Sequence, residues 1–163
     1  MYVDAAYALH DKGESHSGVV VAIGGVVVFI SSKKQRCVAK SPTDAELIAL
    51  SDNIDLLSLF REFLEVICNG VVEKPIIFED CKACIDLALN AGGQIRTKQL
   101  RSRVYRCKEY FDAKEAELRY ARTDKMWADG GSKPLVVPKK FGEYRKIVQG
   151  DQLLLEYKST GGR

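Results

Sequence analysis

The stretch GVVVAIGGVVVFI, residues 18–30, predicts the first part of a β-sheet. Residues 18–23 and 26–30 are runs rich in Val and Ile, and the pair Gly24-Gly25 lies between them. β-Branched runs favour strands, and glycines tolerate the positive φ values of a tight turn, so the stretch predicts a β-hairpin. The two glycines also interrupt this apolar run, the longest in the chain, so the sequence contains no candidate membrane span.

Cap and turn signals outside the hairpin place the other elements. Ser41 is a good N-cap, Pro42 suits the first helical turn and Asp44 favours the helix dipole, so a long helix is expected to begin there. Its apolar periodicity continues to about Cys68, and Asn69-Gly70 ends it. The remaining predictions are strands at 2–8, 75–78 and 117–121, and helices at 81–90, 97–116 and 123–130.

This order of elements predicts an α/β protein, called α+β by some conventions, with a mixed five-stranded sheet flanked by helices. Three strands follow one another closely, and two more are reached through helices. With 163 residues and 46% hydrophobic side chains, the chain has the size and composition of one folded domain, which excludes wholesale disorder. We expect that domain at 1–148, followed by a peripheral tail at 149–163.

The cysteines and the N-terminal residues favour an intracellular protein. The five cysteines are odd in number and most have apolar neighbours, which is typical of small buried side chains and not of a disulfide framework. Cys81 and Cys84 have the C-x-x-C spacing, but no second pair matches it, so core packing of Cys84 is favoured over a metal or redox site. The N-terminus lacks the basic start and apolar stretch of a signal peptide. His10 and His16 fall in a polar loop and are expected to be exposed.

Basic residues are concentrated near the third predicted helix. The net charge is only +3, which by itself does not establish a nucleic-acid partner. Six basic residues and no acidic one lie between positions 96 and 108. Contact with nucleic-acid phosphates is one interpretation of these charges, and a solvated helix face is the other. The candidates for phosphate contact are Arg96 and Lys98 at the helix entrance, Arg101 beside its apolar stripe, and Lys33 and Lys34 after the hairpin.

Four carboxylates fall at informative positions of the predicted elements. Asp4 lies within the first strand, and Glu46 begins a mostly apolar helix stripe that faces the sheet. Asp80 ends an apolar strand, at the edge where open α/β sheets place their sites, and Asp129 follows the apolar residues 126–128. Each acid alone also has an ordinary explanation, such as an edge-strand charge, a helix-dipole partner or an N-cap. Together at one edge they would repel one another, and such a cluster of oxygens suits Mg²⁺ or Mn²⁺.

Seven segments of the chain occur in an order and spacing that are specific, although no single one is decisive. They are Tyr2-Val-Asp4-Ala, Gly18-Val-Val with Gly24-Gly25, Ile30-Ser-Ser-Lys-Lys-Gln35, Ser41-Pro-Thr-Asp-Ala-Glu46-Leu, Phe78-Glu-Asp80-Cys-Lys-Ala83, Arg96-Thr-Lys98 and Ala128-Asp129-Gly-Gly-Ser-Lys-Pro-Leu135. In this order they resemble the ribonuclease H domain of copia-type (pseudovirus) LTR retrotransposon Pol polyproteins. The resemblance runs from Tyr2 to about Val148.

The resemblance implies a ribonuclease H-like fold and an endonuclease that cleaves the RNA strand of RNA–DNA hybrids. Its catalytic, metal-binding carboxylates would be Asp4, Glu46, Asp80 and Asp129, holding two Mg²⁺ ions with Mn²⁺ as the alternative. Asp4 would bridge both ions, Glu46 and Asp80 would help to hold one, and Asp129 would hold the other. The implied partners are the hybrid and a reverse-transcriptase domain of the same polyprotein, with no membrane. The implied location is the cytoplasm, in a virus-like particle, or the nucleus.

The chain departs from the family's pattern at a few positions. Cys81 stands where the family commonly has an Asn that would help to contact the hybrid, so nucleic-acid contact at Cys81 is expected to differ. Gln99 replaces a frequent His, and Ser132 replaces a usual Thr. Only three residues precede Asp4, so the first strand is short and its hold on Asp4 is expected to be weaker. The alternative to an enzyme is a non-catalytic hybrid-binding or structural module of a reverse-transcriptase assembly, and a third hypothesis is another nuclease or an integrase of the same fold superfamily.

Overall fold

The structure is a computed structural model that describes residues 1–70, 72–90, 98–133 and 138–149. Arg96 and the part of the predicted tail from 150 onward lie outside the described residues, and the domain boundary at 148 stays a prediction. Within the described ranges, no helix combines the length and the apolar character that crossing a bilayer requires.

Five strands form one mixed sheet in the order β3-β2-β1-β4-β5. They are β1 (Tyr2–Ala6), β2 (His16–Ile23), β3 (Val26–Lys34), β4 (Ile76–Glu79) and β5 (Glu117–Tyr120). β1 is the central strand, because it pairs antiparallel with β2 and parallel with β4. β2 also pairs antiparallel with β3, and β4 pairs parallel with β5. The predicted mixed five-stranded sheet is confirmed.

The hairpin between β2 and β3 turns at Gly24 and Gly25, as predicted. Their φ angles are +57° and +83°, which residues with a side chain adopt rarely. β3 is longer than predicted, because its ladder with β2 continues to Lys34, which lies opposite His16. A backbone ladder does not need apolar side chains, and lysines on an edge strand discourage further pairing. His16 is therefore a half-buried strand residue, and the prediction of an exposed loop position was wrong.

Helix α1 (Pro42–Cys68) begins and ends at the predicted caps. The Ser41 hydroxyl accepts a hydrogen bond from the Asp44 N–H at 3.1 Å, and Asn69 ends the helix in the left-handed conformation. α1 packs against β1 and β2 through a continuous set of buried apolar side chains near its start. This packing holds Glu46 over the central strand.

Four further helices complete the described fold. They are α2 (Lys82–Asn90), α3 (Lys98–Asp112), α4 (Asp129–Ser132) and α5 (Pro138–Val148). The prediction of one helix over 123–130 was wrong, because a 3-10 turn at Thr123–Lys125 is separated from α4 by extended backbone at Met126. The side chain of Met126 is buried at this break.

α4 lies close to β2 because Gly18 has no side chain. A Cβ atom on Gly18 would lie 2.4 Å from the Ala128 carbonyl oxygen and 2.5 Å from the Ser132 nitrogen. Gly18 lies opposite Asp4 in the β1–β2 ladder. This close approach brings the start of α4, and with it Asp129, to the neighbourhood of Asp4.

Candidate metal and catalytic site

Three carboxylates from different elements converge beside the central strand. Asp4 lies in β1, Glu46 lies near the start of α1, and Asp80 directly follows β4. Each offers an oxygen, and these oxygens lie within 4.8 Å of one another. Asp4 and Glu46 are buried, with exposed fractions of 1% and 7%, and Asp80 is half-buried. The structure thus brings together three of the four predicted catalytic carboxylates.

Burial and the charges of neighbouring carboxylates oppose ionisation of Asp4 and Glu46. Burial first, and then the charges of Glu79 and Asp4, raise the pKa of Glu46 to about 11. Burial also raises the pKa of Asp4, although the Ser132 hydroxyl and the Lys133 ammonium group act in the opposite direction. A cation between the carboxylates would reverse this effect and favour their ionised forms.

The donor set fits a hard divalent cation. The three converging ligand atoms are carboxylate oxygens, which Mg²⁺ and Mn²⁺ prefer. Glu46 Oε2 is buried and has no hydrogen-bond partner among the described residues. Such atoms are rare in folded proteins, because burying an unpaired polar group is unfavourable. The chemistry of the site and this unpaired oxygen both agree with a bound Mg²⁺ or Mn²⁺.

Asp129 lies next to the cluster but contacts it through a lysine. The Lys133 ammonium group lies 3.3 Å from Asp4 Oδ1 and 2.5 Å from Asp129 Oδ1. Partial burial lowers the pKa of Lys133, but the hydrogen bond to Asp129 and the charge of Asp4 outweigh it and raise that pKa. Ser132 donates a hydrogen bond to Asp4 Oδ2. The carboxylates of Asp4 and Asp129 are therefore neutralised in part by the chain's own ammonium group.

Asp80 is held by a contact between two parallel strand ends. β4 and β5 lie side by side, and Thr123 opens the 3-10 turn that follows β5. The Thr123 hydroxyl donates a hydrogen bond to Asp80 Oδ2 at 2.7 Å. Cys81, the predicted nucleic-acid contact, is half-buried, and its Sγ lies 3.9 Å from the Thr43 hydroxyl.

A fifth carboxylate, which the sequence analysis missed, lies behind the site. Glu79 is the last residue of β4, and its side chain is fully buried. Its Oε1 accepts the Cys81 N–H at 3.1 Å, and its Oε2 has no hydrogen-bond partner among the described residues. Burial raises the pKa of Glu79 to about 8. The alternation of side chains along a strand could have revealed Glu79, because it places Glu79 on the same buried face as Ile77.

The predicted phosphate contacts are described only in part. Lys33 and Lys34 are exposed on β3, and Lys34 pairs with Glu14 at 3.2 Å. Arg101 is exposed on α3. Lys98 is the first residue of α3, but its side chain is not among the described parts of the structure, and Arg96 lies outside the described residues. Phosphate contact by Lys98 and Arg96 therefore stays a prediction.

A polar cavity of about 420 Å³, named here the basic cavity, contains two basic residues that the sequence analysis did not select, Arg36 and Arg103. Lys33, Lys34, Arg36 and Arg103 line it, together with Asp52, Asn53 and others. Arg103 forms an ion pair with Asp52 across the cavity wall. Gln35, which lines this cavity, donates a hydrogen bond to the carbonyl of Ala45, the residue before Glu46.

The sequence is similar to retrotransposon polyproteins, whereas no protein-family model matches it. It is 30% identical over 151 residues, 91% of this chain, to the retrovirus-related Pol polyprotein from transposon TNT 1-94 of Nicotiana tabacum. It is 24% identical over 135 residues, 82% of this chain, to the Ty1-DR5 and Ty1-H Gag-Pol polyproteins of Saccharomyces cerevisiae. The chain spans only 11% of the tobacco polyprotein and 8% of the yeast ones.

Solved structures of ribonucleases H have a similar fold. LC11-RNase H1, isolated from compost by a metagenomic approach, matches with a TM-score of 0.58 and 16% identity over 78% of this chain and 87% of that chain. The N-terminal ribonuclease H domain of a Mycobacterium tuberculosis protein matches with a TM-score of 0.54 and 12% identity over 92% of this chain and 95% of that chain. The predicted ribonuclease H-like fold is confirmed by these likenesses.

Proposed function

We propose that this chain, a homologue of retrotransposon polyproteins with the fold of a ribonuclease H domain of a copia-type element, is a metal-dependent endonuclease. Its substrate would be the RNA strand of an RNA–DNA hybrid. The observation that carries the proposal is the convergence of Asp4, Glu46 and Asp80 from three separate elements, with one oxygen of each within 4.8 Å of the others. A merely structural role would not account for two buried carboxylates, Asp4 and Glu46, whose pKa values are raised and which lie next to a third, Asp80.

The residues present suit one cation position at Asp4, Glu46 and Asp80, and a second position that Asp4 would share with Asp129 is part of the proposal. Asp4, Glu46 and Asp80 would hold one ion, and Asp4 with Asp129 would hold the other. When bound, two divalent ions activate the attacking water and stabilise the leaving oxygen of a phosphodiester. Ser132 would keep Asp4 oriented by its hydrogen bond, and Thr123 would do the same for Asp80.

Substrate binding would use the basic cavity, whose lining residue Gln35 is hydrogen-bonded to the residue before Glu46. Lys33 and Arg36 are exposed at its edge and are free to contact phosphates. Selectivity for the hybrid would come from 2′-hydroxyl groups in the shallow minor groove, so sequence preference should be weak. Arg96, Lys98 and Arg101 are proposed as further contacts, and a reverse-transcriptase domain of the same polyprotein as a partner. The site of action would be intracellular, in a virus-like particle or the nucleus.

The substrate class is tested by cleavage of end-labelled duplexes. The chain is incubated with an RNA–DNA hybrid, an RNA–RNA duplex and a DNA–DNA duplex, each with Mg²⁺, with Mn²⁺ and with a chelator. We expect cutting of the hybrid's RNA strand alone, only when a divalent ion is present. Cutting of DNA–DNA duplexes would instead favour another nuclease of the same fold. Hybrid binding without cutting by the folded protein would favour the non-catalytic module.

A further inference from the structure

The chain's two histidines lie in contact with each other, outside the cluster of Asp4, Glu46 and Asp80. His10 lies in the loop between β1 and β2, and His16 is the first residue of β2. His10 Nε2 is 3.0 Å from His16 Nδ1, and the two ring centres are 5.2 Å apart. Both side chains are half-buried. Imidazole nitrogens are common metal ligands, and these two nitrogens face each other.

The backbone holds both histidines in fixed places. His10 N–H donates a hydrogen bond to the Glu14 carbonyl at 3.1 Å, so the loop closes on itself. His16 lies opposite Ala6 in the ladder with β1 and opposite Lys34 in the ladder with β3. The backbone on each side of the pair is therefore already ordered. A ligand between the two rings would not have to order it, which lowers the cost of binding.

His16 favours the neutral form, in which a ring nitrogen can bind a metal. Burial first, and then the charge of His10, lowers the pKa of His16 below its ordinary value of 6.5. His16 Nε2 also lies 2.9 Å from the Ser32 hydroxyl oxygen. When Nε2 carries the ring proton and donates it to Ser32, Nδ1 presents a lone pair toward His10. Metal-binding histidines are usually oriented in this way, by a hydrogen bond from the second ring nitrogen.

The distance between the facing nitrogens is close to that of two histidines on one metal ion. A zinc–imidazole bond is about 2.0–2.1 Å long, so two nitrogens at a tetrahedral angle lie about 3.3 Å apart. The observed 3.0 Å is slightly shorter, and a small rotation of the rings would make up the difference. Imidazole binds ions of borderline softness such as Zn²⁺, whereas Mg²⁺ prefers oxygen ligands. The pair therefore suits a different class of ion from the carboxylate cluster.

The charges around the histidines come from the loop and from β3. Lys34 lies opposite His16, and its ammonium group is paired with Glu14 at 3.2 Å. This pairing offsets the charge of Lys34, which would otherwise repel a cation beside His16. Among the described residues, no third His, Cys or carboxylate ligand atom lies close enough to both facing nitrogens to form a group of three. Water would therefore complete the coordination of an ion at this place.

We propose that His10 Nε2 and His16 Nδ1 bind one Zn²⁺ ion, with water at its remaining positions. On binding, the proton between the rings moves through solvent to His10 Nδ1. Both facing nitrogens then carry lone pairs, and both rings stay neutral. The ion joins the β1–β2 loop to the sheet. The site is separate from the carboxylates, and the proposal does not depend on hybrid cleavage.

Zinc affinity is measured by competition with a chromophoric chelator, in excess Mg²⁺ to limit binding of Zn²⁺ at the carboxylates. The unaltered chain is compared with His10→Gln, His16→Gln and the control Cys68→Ser, which removes an exposed thiol. We expect each histidine variant to bind Zn²⁺ at least about tenfold more weakly, because one of two linked ligands is lost. Cys68→Ser should bind like the unaltered chain. Equal affinity of the unaltered chain and both histidine variants would overturn the proposal.

A second measurement uses the unaltered chain and so does not depend on the folding of any variant. Because the chain has two histidines, NMR can follow the ring protons of both without overlap from others. We expect the ring signals of His10 and His16 to shift together as one equivalent of Zn²⁺ is added, and to stay in place with Mg²⁺ alone. Bound Zn²⁺ that shifts neither set of signals, or only one set, would overturn the proposal.

Discussion

Asp4 is the residue on which the site depends, because it contacts both the carboxylate cluster and the pair Ser132 and Lys133. On one side it faces Glu46 and Asp80, and on the other it accepts contacts from Ser132 and Lys133. The sequence selected Asp4 only together with the other three acids, because a single acid within an apolar strand also has an ordinary explanation. Lys133 could not be selected from the pattern, since its contact with Asp4 joins residues that are 129 positions apart.

The Lys133 ammonium group is expected to compete with a divalent cation at the Asp4–Asp129 pair. In Lys133→Met, Mn²⁺ affinity should rise by about tenfold, because one positive charge next to both carboxylates is removed. Isothermal titration calorimetry measures this, with Lys125→Met as the control at an exposed lysine of the preceding turn. Unchanged or weaker Mn²⁺ binding by Lys133→Met alone would place the ammonium group outside the cation site.

Glu79 makes the stability of the metal-free protein depend on pH. Its pKa rises from an ordinary value of 4.5 to about 8 on folding. Between these two pH values the folded state therefore binds more protons than the unfolded state. The contribution of Glu79 to the free energy of unfolding is fully present below pH 4.5 and is lost as the pH rises through 8. Asp4 and Glu46, whose pKa values are also raised, act with the same sign.

With a chelator present, the unfolding midpoint should fall by several degrees between about pH 5 and pH 8. Glu79→Gln should make this fall shallower, whereas Glu62→Gln, at an exposed position of α1, should leave it unchanged. Differential scanning calorimetry across this range measures the effect. A midpoint that rises with pH would contradict the raised pKa of Glu79.

Among the elements, α1 was predictable at both ends and α4 was not. Ser41 and Asn69 act through neighbours a few residues away, so local sequence carries the signal. α4 depends on contact with β2, more than a hundred positions earlier in the chain, and on the absence of a side chain at Gly18. The extension of β3 to Lys34 was missed for a related reason. The polar end of β3 is held in the sheet by its pairing with β2, and its own composition does not favour a strand.

Gly18→Ala tests the contact between β2 and α4. The new Cβ atom would meet the backbone of Ala128 and Ser132, which cannot rotate away, so we expect a loss of about 1–3 kcal/mol in the free energy of unfolding. Gly142→Ala is the matched control, because open space surrounds that position within α5. Its expected effect is neutral or stabilising by up to about 1 kcal/mol. Denaturant titration compares the two, and equal stabilities would contradict the close packing of α4.

At the scale of the whole molecule, a carboxylate cluster and a basic cavity occupy different places although the net charge is only +3. The carboxylates cluster at the centre of the sheet, and the basic cavity lies along β3 and α3. The order of strands and helices was predictable, since hydrophobic periodicity and caps are local. The basic cavity was predictable only through Lys33 and Lys34, because Arg36 and Arg103 come together by folding.

The basic cavity predicts a salt-dependent contribution to hybrid binding. In the double variant Lys33→Ala with Arg36→Ala, affinity for the hybrid should fall, and the slope of its dependence on salt should decrease by about 1 to 2. The control removes two exposed lysines elsewhere, Lys12→Ala with Lys125→Ala, so the change in net charge is the same. Fluorescence anisotropy over a salt series measures the affinity and the slope. Identical slopes in the two double variants would show that Lys33 and Arg36 do not contact the phosphates of the hybrid.

The central claim is that the converging carboxylates carry metal-dependent cleavage of the hybrid. Its most direct test is the single-turnover rate of RNA-strand cleavage in Mn²⁺ by the unaltered chain, Asp80→Asn and Asp86→Asn. Asp86 is an exposed acid on α2 and serves as the matched control. We predict that Asp80→Asn lowers the rate by at least about 100-fold, with an unfolding midpoint that is unchanged or raised because one repelling charge is gone. Cleavage by Asp80→Asn at the rate of Asp86→Asn would contradict the account.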